Sequence, residues 1–165
     1  MLRAIKKLLG IETDIKGKEI DFDNCWIVDE INDRNKFLAL IISIVPEDSI
    51  WSIEGLADEE IYHLLSIYPI SDDTKVWKGT VWPKQNSFKV KLSKKAKEEI
   101  LLALPNWNLE SNFVHQHIYK DEEFYLTSYD NLDKACTWVS KSLDQGELEK
   151  LKELRVIDFY DCSEN

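Results

Sequence analysis

His115 and His117 are the residues whose type and spacing most directly invite chemistry. They lie in the stretch Asn112 to Ser140, NFVHQHIYKDEEFYLTSYDNLDKACTWVS, which holds two of the three histidines. Phe113, His115, His117 and Tyr119 alternate with Val114, Gln116 and Ile118. That period of two marks a strand. Two neutral imidazoles on one strand face can converge on a single metal ion. A third ligand would have to be a carboxylate or the distant His63, and no cysteine stands at ligand spacing. The competing reading makes both histidines half-buried strand residues bonded to their neighbours, and two histidines without a third ligand favour it.

A return strand from Phe124 to Ser128 or Tyr129 follows the polar turn Lys120-Asp121-Glu122-Glu123. Pairing Tyr119 with Phe124 sets His117 opposite Leu126 and His115 opposite Ser128. Asp130 then lies two residues further on. A serine, a histidine and an aspartate in reach raise the possibility of a nucleophilic triad. The chain has no G-x-S-x-G elbow and no Gly-rich segment to supply an oxyanion hole. Ser128-Tyr129-Asp130-Asn131 reads better as a strand end entering a side-chain-capped turn. The sequence therefore assigns no catalytic residue and implies no cofactor.

Carboxylates carry more weight. Asp121, Glu122 and Glu123 form one acidic cluster and Asp130 with Asp133 another, in a chain of net charge −10. Such a surface repels nucleic-acid phosphates and anionic lipid, so neither is an expected partner. It draws in a basic protein. The reading that follows is a small acidic protein-binding domain. It would be an immunity- or antitoxin-type inhibitor, in the manner of small acidic bacterial immunity proteins. The bland alternative is that the charge only keeps the domain soluble. Trp77 and Trp82 join the partner-binding candidates, because clustered tryptophans make interface hot spots. With Trp107 they also admit a carbohydrate-binding module, although core packing is the commoner fate of tryptophan.

The elements that must position these groups can be read in turn. The 165 residues suit one domain, 1–165, with 44% hydrophobic and 32% charged content. Residues 1–10 have the spacing of a short amphipathic helix, and 161–165 read as tail. Strands are expected at Cys25–Val28, Ile50–Glu54, Lys75–Trp82, Ser87–Leu92 and Ala135–Ser140, with a closing strand at Val156–Tyr160. Phe37 to Val45, rich in isoleucine and stopped by Pro46, reads as a buried central strand, with a helix as the alternative. Asp58, Ser93 and Asp144 each stand where a helix N-cap is needed. The inward stripes are Ile61, Leu64, Leu65 and Tyr68, then Ala96, Ile100, Leu101 and Leu104, then Leu148, Leu151 and Leu154.

Strands in groups, with helices between the groups, predict a single α+β domain. Its sheet is mainly antiparallel, with three to four helices packed largely on one face. The cysteines, Cys25, Cys136 and Cys162, are odd in number and far apart. That argues against a disulfide framework, for buried thiols, and for a reducing, cytoplasmic setting. No run of apolar residues reaches the ~18 needed to span a bilayer.

Overall fold

The computed structural model of the chain describes residues 17–76, 86–134 and 136–164. The helix expected over 1–10 lies outside them, as do Trp77, Trp82 and most of the strand expected there. The described residues form one seven-stranded sheet and four α-helices. The strands are β1 (Cys25–Ile31), β2 (Ser49–Glu54), β3 (Ser87–Leu92), β4 (His115–Lys120), β5 (Glu123–Ser128), β6 (Thr137–Ser140) and β7 (Ile157–Asp161). Their order across the sheet is β3-β2-β4-β5-β6-β1-β7, and every neighbouring pair is antiparallel.

The helices are α1 (Arg34–Ile44), α2 (Glu59–Leu65), α3 (Lys94–Ala103) and α4 (Gln145–Glu153). Each begins at a side-chain cap: Asp33, Asp58, Ser93 and Asp144 accept backbone N–H groups of the first turn. All four place their buried residues in one apolar core. Phe37, Leu38, Ile41 and Ile42 of α1 meet Ile61 and Leu65 of α2, Ala96 and Ile100 of α3, and Leu148 and Leu151 of α4. The sheet contributes Val28, Trp51, Ile53, Val90, Ile118, Leu126 and Val139 to the same core. The helices thus cover one face, and the α+β architecture stands as the strand grouping predicted.

Several expectations need correction. The run Phe37–Val45 belongs to helix α1 and not to a central strand. Its buried residues fall at 37, 38, 41, 42 and 45, a helical stripe, while Ser43 between them is exposed. Asp33 starts the helix, and Val45 is extended at ψ 150° before Pro46. Leu154 does not point inward; it follows the last turn of α4 and is 71% exposed. The expected tail is ordered: Asp161 closes β7 and Cys162–Glu164 form a 3-10 turn.

The opposite face of the sheet carries a smaller apolar layer of Ile20, Cys25, Tyr119, Phe124 and Trp138, with Phe22, Ile27, Ile50, Val76, Tyr129, Cys136 and Cys162 packed against it. Two extended segments cross this face. One spans 17–21 and turns at 22–24, the other spans 70–76, and they meet where Lys18 bridges Val76. Asp72 anchors the second segment: it accepts from Tyr119 Oη at 2.7 Å and from Lys89 Nζ at 2.8 Å. Cys25 and Cys162 are joined as a disulfide, and Cys136 is a free thiol. The expectation of unpaired cysteines is therefore overturned, and the inference from it to a reducing compartment loses its ground. No helix among the described residues is long and apolar enough to cross a membrane.

Candidate functional site

β4 and β5 form a hairpin closed by Asp121 and Glu122, between the pair Lys120 and Glu123. Asp121 takes a left-handed φ of 54°, which aspartate tolerates better than most residues. Tyr119 pairs with Phe124 as the sequence implied. One step further the register slips: Ile118 faces Leu126, and Tyr125 is the extra residue of a bulge. His117 therefore faces Thr127, not Leu126, and Ser128 faces Gln116, not His115. The slip moves Thr127 and Tyr129 onto the histidine face and sends Leu126 and Ser128 to the other. The Ser128 hydroxyl pairs with Thr137 Oγ1 at 2.9 Å. The triad geometry is absent.

Both histidines are buried, at 4% and 2% exposure, on the face crossed by residues 17–24. His115 Nδ1 accepts the backbone N–H of Asp130 at 3.1 Å. That bond requires an unprotonated Nδ1, so the neutral ring carries its proton on Nε2. His117 Nδ1 lies 3.0 Å from Thr127 Oγ1, which also receives the backbone N–H of Ile20 at 3.2 Å. The Tyr129 ring stands edge-on to both imidazoles, with centroids 5.3 and 5.7 Å away. Its hydroxyl donates to Glu19 at 2.7 Å, and burial, then Glu19, pushes the phenol far up. Across the sheet Glu54 faces His115 and Ser52 faces His117. Among the described residues no group of three His, Cys, Asp or Glu side chains is placed to hold a metal ion.

His115 instead positions a loop. Asp130, Asn131 and Leu132 are consecutive left-handed residues with φ of 53°, 60° and 60°. For L-residues this conformation costs about 1–2 kcal/mol each, less for Asn and Asp. It is held by the Asp130 N–H bond to His115, by Asn131 N–H to Val114 O at 2.9 Å, and by Arg34 Nε to Asn131 O at 3.0 Å. Buried Leu132 supplies the apolar return.

Burial lowers the His115 pKa below its ordinary 6.5, against the opposing pull of Glu54 and Asp130. The folded state therefore prefers the neutral ring, and the unfolded chain takes the proton first. Stability from this group is complete above pH 6.5 and is lost as the pH falls through the folded-state value. Thermal melts between about pH 8 and about pH 5 should show that decline. His115→Asn keeps an acceptor toward Asp130 without a titrating ring, and should flatten the slope. An unchanged slope in the variant would assign the effect to another group.

The acidic turn occupies a different setting. A cavity of about 1020 Å³ is lined by 17–24 on one side, by 120–125 on the other and by Ser140. Glu19, Asp21, Asp23, Asp121, Glu122 and Glu123 contribute carboxylates, against the ammoniums of Lys18 and Lys120. Asp21, Asp23, Asp121, Glu122 and Glu123 are exposed. Lys18 pairs with Glu122, whose carboxyl it holds below the usual range. Lys120 Nζ turns away to Glu47 O at 2.8 Å. Glu123 accepts from Tyr125 Oη at 3.0 Å, and burial, then Glu123, pushes that phenol up to about 12. Half-buried Phe22 lines the cavity, with only the edges of Phe124 and Tyr125, 5% and 6% exposed, reaching it.

The predicted acidic residues thus separate. Asp121, Glu122 and Glu123 rim the cavity, whereas Asp130 and Asp133 lie at the far end of the hairpin, about 20 Å along a six-residue strand. Sequence reasoning missed Glu19, Asp21 and Asp23 as partners of the turn. The acidic character of 11–24 was visible, but its crossing of the sheet was not. Trp107 is no exposed platform: it stacks on Phe113 at 5.8 Å, and Phe113 stacks on Trp51 at 5.3 Å. His63, the distant third-ligand candidate, is exposed on α2. Comparison with family models, curated proteins and solved structures finds no match to this chain.

Proposed function

We propose that this protein is a binding domain that captures a basic segment of another protein in the groove between 17–24 and 120–125, as an immunity- or antitoxin-type inhibitor would. The observation that carries the reading is the cavity itself. Two acidic segments, remote in sequence, bring exposed carboxylates to its two sides. Carboxylates steer a basic partner in and set its register. The net charge of −10 extends the same attraction over the whole surface.

A fluorescent Arg/Lys-rich peptide tests the reading by anisotropy at low and high salt. The triple variant Asp121→Asn, Glu122→Gln, Glu123→Gln should weaken binding at least about tenfold, roughly 1.4 kcal/mol. A control that neutralises the exposed Asp29 and Glu30 of β1 removes charge away from the groove. Equal weakening by both variants would reduce the effect to bulk charge and remove the groove from the account. A basic protein retained from the source lysate by the wild type, and lost by the triple variant, would name the partner.

A further inference from the structure

The ladder between β1 and β7 pairs Trp26 with Asp161, Ile27 with Tyr160 and Val28 with Phe159. Carried on by one residue, that register sets Cys25 opposite Cys162. Their Cα atoms stand 5.8 Å apart, within the span of a disulfide. The backbone pairing alone therefore brings the two cysteines together. Cys25 is fully buried, and Cys162 is partly exposed. Cys136 packs against the same apolar layer, but burial, then Asp130 and Asp133, pushes its thiol up and keeps it poorly reactive.

Among the described residues β7 is an edge strand with β1 as its one neighbour in the sheet. A register break between Val28 and Glu30 interrupts their ladder. Beyond the break Lys152 pairs with Asp158, in an exposed ion pair of small worth. Ile157 and Phe159 reach into the main core along the strand, and further ties gather at the other end. There the disulfide sits beside Asp161, whose carboxyl is lowered to about 2 by Lys141, then by the backbone and hydroxyl of Ser163.

We propose that Cys25 and Cys162 form a redox-controlled staple on this edge: closed, it pins β7 to β1; open, it lets Ile157–Asp161 fray while the rest of the sheet stays folded. Closure runs by thiol–disulfide exchange with a small disulfide such as glutathione disulfide. The more accessible Cys162 thiolate attacks one sulfur and expels a thiolate. The Cys25 sulfur then displaces the second thiolate from the mixed disulfide. Two protein thiols lose two electrons and two protons, and the small disulfide becomes two thiols. Reduction by a small thiol reverses each step.

The test uses the full chain in a Cys136→Ser background, so that thiol counts report the pair alone. After glutathione disulfide, the denatured protein should show no titratable thiol and a mass lower by two hydrogen atoms. After dithiothreitol, amides of 157–161 should exchange at least about tenfold faster, with α1 and β4 unchanged. Cys162→Ser should exchange fast at 157–161 in both buffers. Thiols that persist after oxidation, equal exchange in the two states, or acceleration that spreads through α1 and β4 would each overturn the proposal.

Discussion

Trp51→Ala is expected to destabilise the fold by about 3–5 kcal/mol, the range for removing a large aromatic from a packed core. Trp51 is fully buried on β2, next to the interior strand β4. Its ring stacks on Phe113 with planes 14° apart, and its Nε1 donates to Gln116 Oε1 at 3.0 Å. Truncation opens a cavity between the sheet and the helices. It also leaves the buried Gln116 Oε1 without its donor, in an amide whose Nε2 has no partner among the described residues. Trp51→Phe should cost less, since it keeps the stack and loses the hydrogen bond. Trp107→Ala, at the half-buried end of the same stack, should fall below either. Urea unfolding read by far-ultraviolet circular dichroism ranks the three. A Trp51→Ala loss below about 1.5 kcal/mol would mean that the site collapses on itself, and the stack would then not organise this half of the core.

Asp72→Ala carries the second largest expectation, about 2–3 kcal/mol. The Asp72 carboxylate is 20% exposed and receives both the Lys89 ammonium, itself 18% exposed, and the Tyr119 hydroxyl. Burial pushes its pKa up, but the bonds from Lys89 and Tyr119 outweigh that and leave it below 3.8. Removing it strands a half-buried cation and a buried hydroxyl together. Lys89 keeps the carbonyls of Asp72 and Thr74, which softens the loss. Adding Lys89→Met to Asp72→Ala should recover part of the stability, because the stranded charge goes too. A double variant as unstable as the sum of the singles would show that the two groups act separately. The sign with pH is fixed by the lowered pKa: the contribution is present above 3.8 and is lost as pH falls through the folded value.

Local signals in the sequence were the readable ones. Asp58, Ser93 and Asp144 sit where their helices begin, because an N-cap needs only a short polar side chain within reach of the first turn. The strand Ser87–Leu92 and the hairpin turn were equally legible. Phe37–Val45 was not, because isoleucine-rich runs satisfy strand and helix patterns alike, and α1 is apolar on most of its circumference. Asp33 was the available clue: its side chain accepts the N–H of Lys36 at 3.0 Å, an N-cap bond that a strand has no use for. At the site, the acidic turn was found but its opposite wall was not. The bulge at Tyr125 exchanged the residues facing the histidines, and nothing in FYLTS announces a bulge. The pairing of Cys25 with Cys162 depends on strand order, which cysteine spacing does not encode.

The place of β1 in that order has a consequence for how the chain reaches its native state. β1 is among the first elements along the chain, yet both its neighbours, β6 and β7, come from its last third. During synthesis Cys25–Val28 has no strand to pair with until most of the polypeptide has left the ribosome. Meanwhile β2, β3, β4 and β5 can assemble without it: β4 and β5 as a tight hairpin, and β2 with β3 and β4 across the connections 55–86 and 55–114. Closing the sheet then means inserting an early, apolar segment between two late ones across a long loop, a slow step with high contact order. Refolding should therefore populate a four-strand intermediate with β1 still exposed, and that species is the one most exposed to aggregation.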